Sequence, residues 1–455
     1  MGLLDFFMFL VITLVLFLLC KQLSKACKPE HRKIIMIAFW ARVFSSLCYS
    51  LFGLVARGDT VDLYFPEAYN FYKLILSNPS NTYLLFQQAH EFDENLLYFN
   101  HNLGYLTMEN NYMVVRIASV ICFFTFGRLM ATNLVFAMLA FSGAWKLFVF
   151  FEEQFPNLRK QLAIAILFLP TFLFWSSGIL KDTLCVGALG WFTYSLYHLF
   201  YAKRKMLLNF LIVLFTAWLL YILKIYILLS FLPAIAIYLA LLNVGLIKNA
   251  LLKVVVVLLF FSLGLFGFMR MSETMEKGIG GFAKEGIEER IMDLQDSYKI
   301  QQNRGGKGSF FSLGVTYDGS LLSLLKIAPA AINATLFRPY IWESKKISTL
   351  LSSIESLVLM LFTLSVLLRC GLKAFFKTII NKSAVLFCFI FSISFALFVG
   401  ASTLNFGTLV RYKIPCMPFY VIMLFLILYY NDKLEKRKKK KPAIAKEHSL
   451  PLQNA

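Results

Sequence analysis

The chain has 455 residues, of which 59% are hydrophobic and only 15% are charged, and its mean hydropathy is +0.69. These values exclude an ordinary soluble domain, whose surface needs more charged residues. The formal net charge is +20, but the basic residues lie in short segments between apolar runs, which is typical of membrane topology and excludes nucleic acid as a partner. We therefore predict a single all-α, polytopic membrane domain over residues 1–432, with the lipid bilayer as its solvent.

Apolar windows long enough to cross a bilayer as helices recur along the whole chain. They predict a bundle of about eleven transmembrane spans, near residues 3–20, 34–56, 130–151, 161–177, 184–201, 207–222, 225–242, 254–268, 349–368, 384–401 and 412–430. The first window has no basic residues before it and no small-residue cleavage site after it, so we expect it to be a retained helix.

Lysine and arginine residues assign the predicted connections to two sides of the membrane. Six basic segments fall on one side of an eleven-span count, at 21–33, 158–160, 203–205, 248–253, 369–382 and in the tail 433–455. The positive-inside rule makes this side cytoplasmic. In a bacterial inner membrane the N-terminus should then lie outside, and the C-terminal tail, which we expect to be disordered, should lie in the cytoplasm.

The remaining connections should face the extracytoplasmic side. Two of them are long, at 57–113 and 269–348, and the first is rich in acidic residues. The apolar stretches 114–127 and 321–337 are the ambiguous segments, because each is apolar but interrupted by a basic residue or proline. We expect both to be interfacial helices at the outer surface.

The first outer loop opens with two carboxylates three residues apart, Asp59 and Asp62, in the sequence GDTVDLYFPEA. If this segment begins a helix, Asp59 is a suitable N-cap and both carboxylates share one face. A carboxylate held at the membrane surface can act as general base for a sugar hydroxyl, or it can hold a divalent cation. The alternative is that the two residues only cap an interfacial helix.

Basic residues at outer connections are unexpected, because the positive-inside rule removes them from that side. Five of them lie at such connections or boundaries beside two acidic residues, and together they form the candidate binding set Lys181, Asp182, Lys224, Arg338, Glu343, Arg411 and Lys413. A shared anionic ligand explains the set, since arginine offers a planar donor fork for phosphate. The alternatives are anionic lipid headgroups and simple snorkelling at helix ends.

Two short motifs carry a resemblance to a known family. The residues concerned are Gly58, Asp59, Asp62, Tyr64 and Ala68 in GDTVDLYFPEA, and Arg411, Tyr412 and Pro415 in RYKIP. With an acidic pair in the first large outer loop, many spans and a closing RYxxP segment, the chain resembles membrane glycosyltransferases of the GT-C superfamily. The segment FWSSGILKD is also similar to one in bacterial membrane proteins related to polysaccharide polymerases.

The resemblance implies a GT-C-like fold, a catalytic base at Asp59 and basic residues that hold a lipid phosphate. The chain departs from the family pattern in its DxxD spacing, where adjacent or DxD carboxylates are commoner, and in an extra span before the acidic loop. The implied partners are a polyprenyl-phosphate-linked sugar donor and a glycan acceptor.

The sequence therefore predicts a glycosyltransferase of surface glycan synthesis at the outer face of the membrane. One alternative is an O-antigen or exopolysaccharide polymerase of another fold, and a second is a lipid or polysaccharide transporter. A transporter needs charged or broken helices near the membrane midplane and usually two related halves. Neither feature is expected from the sequence.

Overall fold

The computed structural model of the protein describes residues 2–89, 106–244, 300, 309–314, 321–344 and 347–447. Within these ranges the chain is helical, and the β-type pairing there is limited to an isolated antiparallel bridge between Phe310 and Asn405. The predicted all-α class is confirmed for this part of the chain.

The helices follow one another with short connections. The first part of the chain forms α1 (Leu3–Lys25), α2 (Pro29–Ala56), α3 (Phe65–Ser77), α4 (Glu109–Thr125), α5 (Leu129–Gln154), α6 (Arg159–Leu167), α7 (Pro170–Trp175), α8 (Lys181–Phe200) and α9 (Met206–Val244). The second part forms α10 (Leu321–Phe337), α11 (Ile347–Cys370), α12 (Leu372–Asn381), α13 (Ser383–Ser402), α14 (Phe406–Tyr412) and α15 (Met417–Glu447). A π-helical turn, Thr60–Tyr64, leads into α3.

Six of these helices are long and apolar enough to cross a membrane, namely α1, α2, α5, α9, α11 and α13. A seventh candidate is the bent pair of α14 and the first part of α15, whose axes differ by 61°. Several apolar helices of this length are the pattern of a multi-pass membrane protein. Judged by helix length and composition, six or seven spans are found among the described residues, fewer than the predicted count of about eleven. The predicted span 254–268 lies outside the described residues.

The predicted span 161–177 is not one helix. It is divided into α6 and the six-residue helix α7, with Phe168 and Leu169 between them. Pro170 begins α7, and its missing N–H together with its ring prevents α6 from continuing through this position. After Trp175 a non-helical segment, Ser176–Leu180, leads into α8.

Helix α9 is interrupted at Lys224, whose backbone has non-helical angles of φ −154° and ψ 79°. Lys224 lies beside the first turn of α8, where its ammonium group meets Asp182. Seven residues later Phe231 contacts Phe192, in the middle of α8, at 5.9 Å between ring centroids. The second half of α9 therefore runs back along the bundle, as the separate predicted spans 207–222 and 225–242 require.

Three of the basic segments meet at one end of the bundle, which we call the basic end. Lys28 and Arg159 both pair with Glu152, at 3.5 and 2.9 Å. His198, in the last turn of α8, lies 3.3 Å from Glu153. Segments 21–33, 158–160 and 203–205 therefore share one end, in agreement with the charge-based assignment. The opposite end, where α2 ends and α8 begins, is called the site end.

Helix α4 contains residues 114–125 of the apolar stretch 114–127 and has both of its ends at the site end. Asn110, in its first turn, accepts a hydrogen bond from Lys181 at the start of α8. Thr125, in its last turn, is hydrogen-bonded to Thr132 in the first turn of α5 at 2.7 Å. The helix therefore lies across this end of the bundle, packed on α3, and does not run from one end to the other.

We expected residues 321–337 to lie at the outer surface, but helix α10 packs along α13 instead. A Cβ atom at Gly400 of α13 would come within 2.0 Å of the Ala331 carbonyl oxygen, and the Thr335 hydroxyl donates to the Ala396 carbonyl at 2.7 Å. Later residues of α10 thus meet earlier residues of α13, so the two helices pack lengthwise and antiparallel. Small residues at the contact allow this close approach.

Candidate functional site

Four charged side chains from four separate segments meet at the site end. The Asp59 carboxylate, just before the π-helical turn, accepts a hydrogen bond from Arg411 Nη1 at 2.7 Å. Arg411 Nε lies 3.2 Å from Asp182 Oδ2, and Lys224 Nζ donates to Asp182 Oδ1 at 2.5 Å. Asp59, Arg411, Asp182 and Lys224 form an alternating chain of charges that we call the charged cluster.

The charged cluster is closed at one side and open at the other. The side chains of Asp182 and Lys224 are 1% and 6% exposed, whereas those of Asp59 and Arg411 are 41% and 20% exposed. A buried carboxylate needs compensating charge, and Asp182 receives it from both Lys224 and Arg411. Asp59 is therefore the carboxylate of the cluster that a ligand can reach.

Helix ends favour the charges of Asp182 and Arg411, and an aromatic ring favours the charge of Lys224. Asp182 lies in the first turn of α8 and Arg411 in the last turn of α14, where the helix dipoles favour a negative and a positive charge respectively. Lys224 lies at the interruption of α9, and its ammonium group is 3.8 Å from the centre of the Tyr412 ring. The ring provides a cation–π contact in addition to the ion pair.

Residues 176–180, which place Asp182, are fixed by hydrogen bonds from two elements and by close packing against a third. The Ile179 carbonyl accepts from the Thr60 hydroxyl at 3.0 Å, and the Ile179 N–H donates to the Asn133 side chain at 3.0 Å. Gly178 packs so closely on Tyr49 that a Cβ atom there would lie 1.9 Å from the ring. The non-helical backbone is thus satisfied inside the protein, as a membrane protein requires.

A cavity of about 240 Å³ lies beside the exposed part of the charged cluster. Its lining includes the polar residues Asp59, Arg411 and Asn405 and the apolar residues Phe52 and Trp175. Ser309 and Thr349 also line it. The cavity therefore presents a carboxylate and a guanidinium group to a ligand that has both polar and apolar parts.

Lys181 is a third basic residue at this site. It precedes Asp182 in the chain, and its side chain donates to the neutral Asn110 side chain at 2.9 Å. Burial, together with the charges of Lys224 and Arg411, lowers the pKa of Lys181 to about 7, so this lysine is only partly charged at neutral pH. An anionic ligand would favour its charged form.

Burial acts to raise the pKa of the Asp59 carboxyl, but Arg411, Lys181 and Lys224 together hold that pKa below its usual value. Asp59 is therefore ionised at neutral pH and can accept a proton. It is a weak base while Arg411 is bonded to it, because the neighbouring cation stabilises the carboxylate. An anion that drew Arg411 away would make Asp59 more basic.

Asp62 has different contacts from Asp59. Its carboxylate accepts a hydrogen bond from the Gly58 N–H at 2.8 Å and lies 3.7 Å from an Arg57 nitrogen. The Asp59 side chain makes no capping hydrogen bond. The expectation that the Asp59 side chain caps the helix is therefore wrong, because its carboxylate is bonded to Arg411 instead.

Arg338, Glu343 and Lys413 form a second polar group. Arg338 Nε donates to both Glu343 carboxylate oxygens at 3.0 and 3.1 Å. Lys413 Nζ donates to the Arg338 carbonyl at 3.1 Å and to the Ser356 hydroxyl at 2.9 Å. The Arg338 guanidinium group also lies over the Phe311 ring. These contacts attach residues 338–344 to α11 and to Lys413, the residue that follows α14.

Two charged residues within predicted spans were not identified from the sequence as candidates for the site. Arg42 lies midway along α2 and is completely buried, and the partly buried Glu355 lies one third of the way along α11. Both contact the short helix α7, which is itself an interruption within the bundle. The sequence did contain a signal for both residues, since Arg42 lies in the predicted span 34–56 and Glu355 in the predicted span 349–368. An ionisable residue inside a span indicates a function or a specific partner.

Among the described residues, no group of three or more histidine, cysteine, aspartate or glutamate side chains is arranged to hold a metal ion. The divalent cation considered for Asp59 therefore has no visible ligand set in this part of the chain. Comparisons of the sequence with protein-family models and with curated proteins, and of the fold with solved structures, gave no match.

Proposed function

We propose that the protein is a membrane glycosyltransferase that uses a polyprenyl-phosphate-linked sugar at the outer face of the bacterial inner membrane, in surface glycan synthesis. The observation that carries the proposal is the charged cluster beside a cavity lined by both polar and apolar residues. A reachable carboxylate next to the basic residues Arg411 and Lys181 suits a reaction that needs a base and an anionic leaving group.

In the proposed reaction the donor phosphate binds Arg411 and Lys181. The phosphate competes with Asp59 for the Arg411 guanidinium group, which frees the carboxylate to act as base. Asp59 takes the proton of the acceptor hydroxyl, the hydroxyl oxygen bonds to the anomeric carbon, and the bond from that carbon to the phosphate oxygen breaks. Arg411 and Lys181 then balance the negative charge that remains on the polyprenyl phosphate.

The proposed topology is the one expected from the sequence, with about eleven spans in a GT-C-like bundle and the site end outward. It is supported by the common location of three basic segments at the basic end, since the positive-inside rule makes that end cytoplasmic. Of the long predicted outer segment 269–348, Ser309 lines the cavity, and residues 269–299 lie outside the described part of the chain.

Deletion of the gene, followed by complementation with variants, tests the proposal in cells. The Asp59→Ala variant should insert normally but leave surface glycan absent and lipid-linked intermediates accumulated. The matched control is Asp62→Ala, since Asp62 is bonded to Gly58 and lies outside the charged cluster. Glycan synthesis retained by Asp59→Ala, or lost equally in both variants, would count against Asp59 as the base.

A lipid or polysaccharide transporter is the second candidate function. It is favoured by the interrupted segment around α7 and by the buried charge of Arg42 midway along α2, because transporters bind substrates at broken helices near the midplane. Purified protein in proteoliposomes distinguishes the two. A transporter moves a fluorescent lipid-linked sugar between leaflets without making a glycosidic bond, whereas a glycosyltransferase forms the bond when an acceptor is present.

A further inference from the structure

Helix α7 has only six residues, of which Thr171 and Phe172 are buried, and it lies between two interruptions of the backbone. A helix of this length spans about 9 Å and leaves most of its N–H and carbonyl groups without partners in the helix itself. Such groups are costly in a membrane unless other side chains bind them. Both ends of α7 should therefore need polar partners from neighbouring helices.

The C-terminal end of α7 is bound by Arg42 of α2. Arg42 Nη1 donates to the carbonyl oxygens of Leu173 and Ser176, at 3.3 and 3.2 Å, and to the Ser176 hydroxyl at 2.5 Å. The side chain is completely buried. A single guanidinium group thus supplies donors to the carbonyl groups that the helix leaves free at this end.

The N-terminal end of α7 is bound by Glu355 of α11. One carboxylate oxygen accepts a hydrogen bond from the Thr171 N–H at 2.7 Å, and the other accepts from the Thr171 hydroxyl. Thr171 is the second residue of the helix, after Pro170. Glu355 therefore supplies an acceptor where the helix has free donors.

The two charges are placed according to the helix dipole. A negative group lies at the positive N-terminal end of α7 and a positive group at the negative C-terminal end, which is the stabilising arrangement. Arg42 and Glu355 form no ion pair with each other in the described part of the chain; they bind opposite ends of the same short helix. Their signs and positions are thus explained by α7 itself.

Helix α7 leads directly to the charged cluster. Trp175, its last residue, lines the cavity, and the next five residues connect it to Lys181 and Asp182. We propose that Arg42 and Glu355 are positioning residues, which bind the two ends of α7 and thereby fix the cavity wall and the placement of Asp182. The expected effect on sugar transfer rests on the proposed function, whereas the effect on α7 does not.

Fluorine NMR of protein labelled with 5-fluorotryptophan tests the proposal, because the chain has 6 tryptophans and a Trp175→Phe variant identifies the Trp175 signal. Arg42→Met and Glu355→Met should each shift or broaden that signal and leave the other tryptophan signals in place. The milder variants Arg42→Lys and Glu355→Gln should give smaller changes of the same signal, which keeps the test valid if a methionine variant fails to fold. The matched control is Arg369→Met, since Arg369 pairs with Asp432 at an exposed site.

Exchange of the two charges separates helix capping from simple charge balance. The double variant Arg42→Glu, Glu355→Arg keeps the total charge but presents an acceptor to carbonyl groups and a donor to N–H groups, so we expect the Trp175 signal to be as disturbed as in the single variants. A wild-type Trp175 signal in the exchanged variant, or in both Arg42→Lys and Glu355→Gln, would overturn the proposal.

Sugar transfer provides the second readout. Misplacement of the cavity wall should lower transfer by about 100-fold in Arg42→Met and Glu355→Met, with transfer in Arg369→Met unchanged. If the wild-type protein transfers no sugar, the proposed function fails, while the Trp175 signal still decides whether the two charges fix α7. Full transfer in a variant with a disturbed Trp175 signal would overturn the link between α7 and the site.

Discussion

Arg411 contacts both carboxylates of the charged cluster, since one of its nitrogens hydrogen-bonds Asp59 and another lies near Asp182. An arginine suits this position because its planar group carries donors in several directions, whereas a lysine offers one point charge. Asp182 has Lys224 as a second partner, but Asp59 depends mainly on Arg411. A ligand that competes for Arg411 would therefore act first on Asp59.

Glu67 is a buried carboxylate on α3, outside the predicted spans. Burial raises the pKa of its carboxyl group to about 7, against a hydrogen bond with Asn70. The unfolded chain has a glutamate pKa of about 4.3, so between these two pH values the folded protein binds more protons than the unfolded chain. Stability should therefore be greatest at low pH in this window and fall as pH rises toward 7.

Thermal unfolding of the purified protein between pH 5 and 8 measures this pH dependence of stability. In the Glu67→Gln variant, stability should decline much less between pH 5 and 7 than in the wild-type protein. Glu109→Gln is a suitable control, because Glu109 is already paired with Arg116. The same pH dependence in wild type and Glu67→Gln would contradict the assignment.

Helices α5 and α8 pack at the centre of the bundle through glycines. A Cβ atom at Gly143 would lie 2.0 Å from the Gly187 carbonyl oxygen, and one at Gly190 would lie 2.0 Å from the Gly143 carbonyl oxygen. Contacts of this kind let two helix backbones approach closely in a membrane. Because α8 carries Asp182 in its first turn, its packing on α5 also sets the position of the charged cluster.

We expect Gly190→Ala to destabilise the protein by about 1–3 kcal/mol, because the added methyl group must push two backbones apart. Unfolding in detergent measures the loss. Gly2→Ala is the control, since a Cβ atom there meets nothing within 4 Å. Equal stability of the two variants would contradict this prediction, because it would show that α5 and α8 can move apart without a loss in the free energy of unfolding.

Hydropathy predicted where helices occur along the chain, because a long apolar run has little choice in a bilayer. It predicted a connection after Trp175, but not the break between α6 and α7 inside the predicted span 161–177. The fixed non-helical form of residues 176–180 was not predictable either, because it depends on Thr60, Asn133 and Tyr49 from distant segments. The path of α10 along α13 likewise depends on a partner far away in sequence.

Part of the candidate site was predictable from the charged residues that lie at the ends of predicted spans. Asp59, Lys181, Asp182, Lys224 and Arg411 all lie at predicted boundaries and do converge, whereas Arg338, Glu343 and Lys413 pair among themselves and their neighbours. The positive-inside rule identifies basic residues in unusual places, but it does not say which of them share a ligand. That depends on contacts such as the one between Asp59 and Arg411, 352 positions apart.

For the whole molecule, the proposed function requires the site end to face the outside of the cell. Cysteines introduced one at a time into a cysteine-free background, at exposed Ser80 beyond α3 and at exposed Arg204 beyond α8, test this orientation. A membrane-impermeant maleimide added to spheroplasts should label Ser80→Cys and should label Arg204→Cys only after the membrane is opened. The reverse pattern would place the charged cluster in the cytoplasm.

The most direct test of the central claim is sugar transfer by the purified protein in proteoliposomes, with a radiolabelled polyprenyl-phosphate-linked sugar and a glycan acceptor. Candidate donors are supplied one at a time, and the labelled glycan is separated from the lipid. The account predicts transfer by the wild-type protein and by Asp62→Asn, and a loss of at least 100-fold in Asp59→Asn. Transfer by Asp59→Asn at the wild-type rate, or lipid-linked sugar moved across the membrane with no glycosidic bond formed, would contradict it.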